Sequence, residues 1–302
     1  AYEILIGLVG SEMCIRDRNE TRQLAVLAND LSNPYFAEII TGFENAAIDN
    51  NYLVSICTAQ REIENYIRRL IAQRIDGVFI VGMPPLSDEK YHEIIFNMVE
   101  AGIRVLINGI ILKDSKEISH IFVDHMTGID KAVSYLKSMG HTHIAMVSTF
   151  GRNSNFDIRD RMFFSAMDKY LLDSPKIFVS ETGIRNPDMD SSYSLTKRLL
   201  TDHPEVTAVI CLNDLMAYGV IQAATYFNKS VPDELSVIGM DDIYISRNFN
   251  PTVTSIGFDK REYGMMAFEL LYNHIKKNIV KDIDVRTELY IRSSTGLAPG
   301  LK

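Results

Sequence analysis

The sequence lacks the features that would mark a membrane protein or a chain that wraps nucleic acid. It has no apolar run of the roughly 20 residues that a helix needs to cross a bilayer, so no membrane span is predicted. Basic residues are also scarce, because 31 Lys and Arg stand against 39 Asp and Glu, which gives a net charge of −8. That balance argues against a chain that binds nucleic acid along its own surface.

Cysteine is equally rare. The three cysteines, Cys14, Cys57 and Cys211, are odd in number and far apart. This usage favours buried thiols in a reducing compartment over a disulfide framework. The apolar run at residues 4–9 follows Glu3 with no Lys or Arg before it, which disfavours a secretory signal. We therefore predict a cytoplasmic location.

The first 18 residues, AYEILIGLVGSEMCIRDR, look foreign to the sequence that follows them. They resemble the translated adapter sequence that contaminates some assembled reading frames. The fold prediction therefore starts at Asn19.

Complete enzymatic motifs are missing as well. His92 would begin a zinc-protease motif, but Phe96 stands where the second histidine is needed. Gly77 and Gly82 have the spacing of a phosphate-binding loop, yet Met83 stands where that loop needs lysine. No G-x-G-x-x-G follows a predicted strand, and neither a Ser/His/Asp nor a Cys/His set has a local signature. We predict no catalysis, no cofactor and no metal site.

What the sequence does contain is a repeated pattern of apolar strands that end on polar side chains. Residues 207–214 form an apolar β-like run that ends on Asn213 and Asp214, just as a helical pattern begins. The pattern returns at residues 235–242, which end on Asp241 and Asp242, and more weakly at residues 104–108, which end on Asn108. In open α/β sheets, polar residues at the carboxyl ends of parallel strands face the crevice where ligands bind. The sequence therefore predicts a small polar ligand held between two lobes.

Short strands and helical patterns alternate from Gln23 onward, and this alternation predicts the fold class. At 302 residues the chain exceeds one typical domain. We predict an α/β fold of two doubly wound parallel-sheet lobes, joined by several crossovers that imply a hinge. The first lobe is expected to comprise residues 19–122 and about 259–287, and the second residues 123–258 and about 288–302.

Local signals predict several helix ends. Asn33 followed by Pro34 is typical of a helix start. Thr127 is expected to cap a later helix, and Gly140 to end it in the left-handed conformation. The helix at residues 215–227 is apolar nearly all round, which indicates either complete burial within a lobe or a subunit interface.

Several blocks of the sequence, in order and at the usual spacings, resemble the effector-binding core of the lactose-repressor (LacI) type of bacterial transcription regulators. This family is related in fold to the periplasmic sugar-binding proteins, and the resemblance covers about residues 22–298. The blocks are LSNPYFAEIITGFENAA (31–47), AQRIDGVFIV (72–81), VDHMTGIDKAVSYLKSMGHTHIAMV (123–147), residues 159–167, CLNDLMAYGVIQA (211–223), ELSVIGMDD (234–242), NPTVTSI (250–256) and RSST (292–295).

The resemblance implies a sugar-like effector in the cleft between the lobes. Paired hydroxyls need carboxylates, amides, a guanidinium and an aromatic face around them. The residues at the matching positions, which we predict to bind the ligand, are Asn29, Asp30, Phe36, Asn108, Arg161, Asn213, Asp241 and Phe258.

Several of these assignments have an alternative. Asn213 could cap its helix instead, although we expect Asp214 to do so. Arg161 could form a surface ion pair, a role that suits Arg159 better. Phe36 could belong to the core. Phe258 stands where relatives often carry a polar residue, so it could instead fill the hinge. Asn108 stands where many relatives carry Asp, so the resemblance at this position does not specify a particular sugar.

The resemblance also implies partners. It favours the subunit-interface interpretation of the 215–227 helix, and therefore a two-fold homodimer. Family members begin with a helix-turn-helix headpiece and a short hinge helix, whereas only the 18 foreign-looking residues precede Asn19 here. The chain as printed is therefore expected to affect operator DNA only through a headpiece that it lacks, with the effector altering DNA binding. The alternative function is that of a periplasmic sugar-binding protein of a transporter.

Overall fold

The structure is a computed structural model that describes residues 20–58, 63–82, 88–109, 116–148, 158–171, 177–179 and 188–301. The foreign-looking residues 1–18, with Cys14, lie outside the described residues. The chain divides into two compact units. The first runs to Phe122 and takes in Asp259–Asp284, and the second consists of Val123–Phe258 and Val285–Lys302. The chain therefore passes from one unit to the other after Phe122, Phe258 and Asp284.

The first unit is built on a six-stranded sheet with the strand order β11-β5-β4-β3-β1-β2. Its strands are β1 (Gln23–Leu27), β2 (Leu53–Cys57), β3 (Gly77–Ile80), β4 (Arg104–Asn108), β5 (Ile118–Asp124) and β11 (Asp282–Arg286). Its helices are α1 (Pro34–Asp49), α2 (Ile63–Ala72), α3 (Asp88–Glu100) and α8 (Lys260–Lys277). The neighbouring strands β2-β1, β1-β3, β3-β4 and β4-β5 all pair in parallel.

The second unit has its own six-stranded sheet, with the order β12-β10-β9-β8-β6-β7. The strands are β6 (Ile144–Val147), β7 (Ile177–Val179), β8 (Ala208–Cys211), β9 (Ser236–Asp241), β10 (Thr254–Gly257) and β12 (Glu288–Tyr290). The helices are α4 (His125–Ser138), α5 (Ile158–Tyr170), α6 (Met189–Asp202) and α7 (Asp214–Tyr226), with a short 3-10 helix at Tyr244–Arg247. All pairs in this sheet are parallel except β10 with β12, which is antiparallel.

Alternate side chains of β3 face different helices, as expected of a strand buried on both sides. Val78 and Ile80 belong to the cluster that α2 and α3 complete. Phe79 instead stacks on Phe43 of α1, at 5.3 Å between ring centroids. Helices therefore cover both faces of this sheet, and the predicted α/β fold with mainly parallel sheets is confirmed.

Helix α1 begins where the sequence predicts. The side chain of Asn33 accepts a hydrogen bond from the Tyr35 amide, and Pro34 occupies the first helical position. The predicted cap at Thr127, however, is wrong. The cap of α4 is Asp124, whose carboxylate accepts from both the amide and the hydroxyl of Thr127. Gly140 follows this helix with a φ of 89°, in the left-handed region as predicted.

The sequence did not reveal strands β5 and β11. Strand β11 is the edge of the first sheet, and its residues alternate between exposed and half-buried. Such a short, charged stretch has little hydrophobic signal of its own, so its assignment depends on pairing with the neighbouring strand.

Most of the apolar side chains of helix α7 pack within its own unit. Its apolar residues Met216, Tyr218, Val220 and Ile221 are buried, and the helix packs extensively on α6. Burial of these four side chains within the unit therefore explains much of the apolar character of this helix. Tyr226 is 61% exposed, and the predicted subunit interface on this helix stays a prediction.

Candidate functional site

Two of the predicted ligand residues lie together at the carboxyl edge of the second sheet. Strands β8 and β9 are parallel neighbours, with Ile210 opposite Ile238. Asn213 therefore follows one strand end and Asp241 ends the next. Both are largely enclosed, with Asp241 9% exposed.

Asn213 is the N-cap of α7. Its Oδ1 accepts a hydrogen bond of 2.8 Å from the Met216 amide. The expectation that Asp214 would take this cap is wrong, because Asp214 is fully buried and bonds elsewhere. Capping engages the amide oxygen of Asn213, whereas Nδ2 carries the donor protons that a ligand acceptor would need.

Asp214 is the centre of a buried hydrogen-bond network. Its Oδ1 accepts from the Ser255 hydroxyl at 2.6 Å, and its Oδ2 accepts from the Ser246 hydroxyl at 2.6 Å and the Ile243 amide at 2.9 Å. Burial nevertheless raises the pKa of Asp214 to about 7, because the loss of water outweighs the three hydrogen bonds that lower it. This carboxyl connects the start of α7 to the segment after β9.

The segment after β9 is held in a special conformation. Asp241 has a φ of 100° and Asp242 a φ of 49°, both in the region that favours glycine. Asp242 is fully buried, and its carboxylate accepts from Arg292 at 2.5 Å and Arg247 at 2.8 Å. A Cβ added to the neighbouring Gly257 would lie 2.3 Å from that of Asp242. These contacts fix the backbone that carries the Asp241 carboxylate.

The two arginines of α5 differ in position. Arg161, the predicted ligand residue, is exposed. Arg159 is half-buried, and its Nη1 donates to the Leu212 carbonyl at 3.0 Å, one residue before Asn213. Arg159 therefore lies at the carboxyl edge of the second sheet, although the sequence had assigned it a surface ion pair. The ligand role of Arg161 stays a prediction.

The spacing of residues along α5 already indicated the half-buried position of Arg159. Phe163 and Ala166 are buried residues of α5, and Arg159 lies four and seven positions before them. Residues at this spacing share one face of a helix, whereas Arg161 does not belong to that stripe.

A second group of predicted residues lies at the carboxyl edge of the first sheet. Asn29 follows β1, and Gly82 follows β3. A Cβ added to Gly82 would lie 3.1 Å from Cε1 of Phe36 and 3.3 Å from Cγ of Asn29, so both side chains lie beside Gly82. Phe36 is half-buried and meets Tyr35 edge-on at 5.2 Å, so its ring lies at this edge and outside the buried core.

Asp30 and Asn108 already have partners in the protein. The carboxylate of Asp30 accepts from the Ser32 amide at 2.8 Å and from the Ser32 hydroxyl at 2.7 Å, which closes a local turn. Asn108 Oδ1 accepts from the Tyr263 hydroxyl at 2.7 Å, and its Nδ2 donates to the Val81 carbonyl at 3.1 Å. Both side chains are thus oriented by the first unit itself.

Phe258 follows β10 and is 5% exposed. Since protein atoms enclose nearly all of this side chain, its environment favours the packing alternative over stacking on a ligand.

Comparison with known proteins extends this picture. The model of the periplasmic binding protein-like domain matches residues 133–295. The HTH-type transcriptional repressor PurR of Photorhabdus laumondii subsp. laumondii is 30% identical over 291 residues, which cover 91% of this chain and 80% of the relative. PurR of Pasteurella multocida is 29% identical over 282 residues, with 91% and 82% covered.

A solved structure agrees. The LacI family transcriptional regulator from Enterococcus faecium, crystallised with bound ribose, superposes with a TM-score of 0.78 at 25% identity, covering 91% of this chain and 98% of that one. The chain belongs to the LacI family of transcriptional regulators. The region with the strand-end residues of the second unit is the periplasmic binding protein-like part of this regulator, as the sequence predicted. The relatives are named repressors, which supports a regulator over a transporter component.

Three further observations concern the described part of the regulator. None of its helices there has both the length and the apolar character needed to span a membrane. Within the same residues, no group of three or more His, Cys, Asp or Glu side chains could hold a metal ion. The described cysteines, Cys57 and Cys211, are buried and form no disulfide within the described residues, and burial raises the pKa of Cys211.

Proposed function

We propose that this regulator senses a small sugar-like effector through polar side chains at the carboxyl edges of its two sheets. The observation that carries the proposal is the grouping of Arg159, Asn213 and Asp241 at one edge of the second sheet. Ribose bound to the Enterococcus faecium regulator supports a sugar as the class of effector. Asn29 and Phe36 are the first-unit residues we favour as further contacts.

The chemistry of these groups suits a hydroxylated molecule. Asp241 offers acceptors, and Asn213 offers an amide donor. A guanidinium has five N–H donors, so the bond of Arg159 to one carbonyl is compatible with a ligand contact. Five or six hydrogen bonds worth about 0.5–1.5 kcal/mol each, with one aromatic contact, support roughly micromolar affinity, or about 8 kcal/mol.

Effector binding would alter DNA binding because the two binding events are coupled in free energy. A difference of about 1–3 kcal/mol in effector affinity between two states changes operator occupancy several-fold. The relatives are named HTH-type repressors, and we propose that a helix-turn-helix headpiece reads the operator in the intact regulator. Such a role is non-catalytic and belongs in the cytoplasm, where the DNA is.

The arginine assignment predicts opposite results for two neighbouring variants. In a thermal-shift panel of D-ribose, D-glucose, sucrose, adenine and a hexose phosphate, we expect a sugar to raise the Tm of the wild-type protein. Arg159→Ala should then raise the Kd about ten- to hundredfold, since a charged hydrogen bond is lost.

Arg161→Ala is the matched control, because it removes the same charge from an exposed position of the same helix. Its Kd should stay within about twofold of wild type. A loss of sugar affinity in Arg161→Ala alone would assign the ligand contact to Arg161. A panel in which no sugar stabilises the wild type would reject a sugar as the effector class.

We also propose that the regulator pairs as a homodimer, through surfaces other than the apolar side chains of α7. Strand β2 is an edge of the first sheet and exposes Leu53 and Ile56, which are 73% and 41% exposed. An exposed apolar edge strand invites pairing with another chain, and a two-fold dimer buries the same patch on both subunits.

Leu53→Lys tests this surface, because it would set two like charges at the dimer contact. We expect sedimentation velocity at tens of micromolar to give a dimer for the wild type and a monomer for the variant. Met126→Lys, which changes an exposed methionine of α4, should remain a dimer. A monomeric wild type, or a Leu53→Lys variant that pairs normally, would contradict the proposed surface.

A further inference from the structure

Ser148 lies at the same carboxyl edge as Asn213 but was not among the predicted ligand residues. It directly follows β6, whose parallel neighbour is β8, with Val147 opposite Cys211. The Leu212 amide donates to the Val147 carbonyl at 3.1 Å, which continues the pairing to the end of both strands. Ser148 therefore stands beside the segment that carries Asn213 and the carbonyl bound by Arg159.

The hydroxyl of Ser148 is unusual in its surroundings. Ser148 is fully buried, yet its Oγ has no hydrogen-bond partner among the residues that the structure describes. Other fully buried serines of this sheet are bonded: Ser255 donates to Asp214 at 2.6 Å, and Ser236 accepts from the Gly296 amide at 3.0 Å. Buried polar groups are nearly always paired, because leaving one without a partner costs free energy.

We propose that the Ser148 hydroxyl is a further effector contact, whose partner is a hydroxyl or carbonyl group of the bound molecule. The inference rests on the proposed effector function and deepens it. A serine hydroxyl both donates and accepts, so it suits a ligand group that does the same. Along this sheet edge, the guanidinium of Arg159 would donate, the carboxylate of Asp241 would accept, and the Ser148 hydroxyl could do either.

The first test needs no ligand. If no protein group pairs with the hydroxyl, Ser148→Ala removes an unsatisfied buried polar atom, and the Tm of the ligand-free protein should stay equal or rise. Ser236→Ala is the matched control, because it removes a bonded hydroxyl from a buried serine at the start of β9. Its Tm should fall by about 2–4 °C. A comparable fall for Ser148→Ala would mean that a protein group already holds this hydroxyl, and would overturn the inference.

The second test measures binding of D-ribose, D-glucose and sucrose to the wild type and to Ser148→Ala by calorimetry. For a sugar that binds the wild type, Ser148→Ala should raise the Kd about fivefold or more, whereas Ser236→Ala should leave it unchanged. An unchanged Kd for Ser148→Ala overturns the role of Ser148 while the effector function stands. If none of the three sugars binds the wild type, the sugar-sensing proposal fails, and the inference fails with it.

Discussion

Replacing Asp214 with asparagine is expected to remove the loss of stability that the Asp214 carboxyl contributes as the pH rises from about 4 to about 7. Burial raises the pKa of Asp214 from 3.8 to about 7 in the folded protein. In the unfolded chain the carboxyl regains its ordinary pKa. Between these two values the folded state therefore holds a proton that the unfolded state has released.

The sign of the effect follows from this difference. Because the folded state binds more protons in this window, the free energy of unfolding decreases as the pH rises through it. Below about pH 4 the carboxyl is protonated in both states, and above pH 7 the folded protein must bury the charge. A pKa difference of about three units corresponds to a change of up to about 4 kcal/mol, as an order of magnitude.

Urea unfolding at several pH values from 4.5 to 7.5 measures this slope. Asp214→Asn should flatten it relative to the wild type, because asparagine does not titrate. Asp49→Asn changes an exposed aspartate at the end of α1 and should follow the wild-type curve. Equal slopes for the wild type and Asp214→Asn would show that Asp214 does not retain its proton through this range.

Much of the fold could be predicted because its signals are local. Strands that are buried on both faces appear as short apolar runs, and the Asn33–Pro34 pair specifies a helix start through its own backbone chemistry. Strand β11 had no such signal. Its sequence, DIDVR, is largely charged, and only its place beside β5 in the sheet makes it a strand.

The candidate site shows a similar limit. The end of an apolar run places Asn213 and Asp241 at the sheet edge, since strand ends can be located from the sequence. The division of roles between Asn213 and Asp214 depends on Ser246 and Ser255, which are distant in sequence and were not identified as partners. The half-buried position of Arg159 was accessible from the sequence, because Phe163 and Ala166 define the buried face of α5.

Replacing Gly264 with alanine is expected to be among the most destabilising single changes in the first unit. Helices α1 and α8 make more contact than any other pair of elements, and they cross at glycine. A Cβ on Gly264 would lie 2.1 Å from the Ile39 carbonyl oxygen and 2.7 Å from the Phe43 nitrogen. Backbone atoms of a packed helix cannot turn aside as a side-chain end can. The helices must therefore separate, at a cost of about 3 kcal/mol or more.

Gly42 provides an internal check, because its added Cβ would lie 2.1 Å from the Arg261 carbonyl oxygen across the same helix pair. Once one alanine has separated the helices, the second should cost less. The double variant with alanine at both glycines should therefore lose less stability than the sum of the losses of the two single variants. Gly77→Ala is the control in the same unit. The three atoms nearest to its Cβ would be side-chain methyls of Leu271 and Ile275 at 3.0–3.1 Å, and these can shift. Calorimetry should therefore give Gly77→Ala a much smaller loss of Tm than Gly264→Ala, and equal losses would mean that the close approach of α1 and α8 is not what requires glycine.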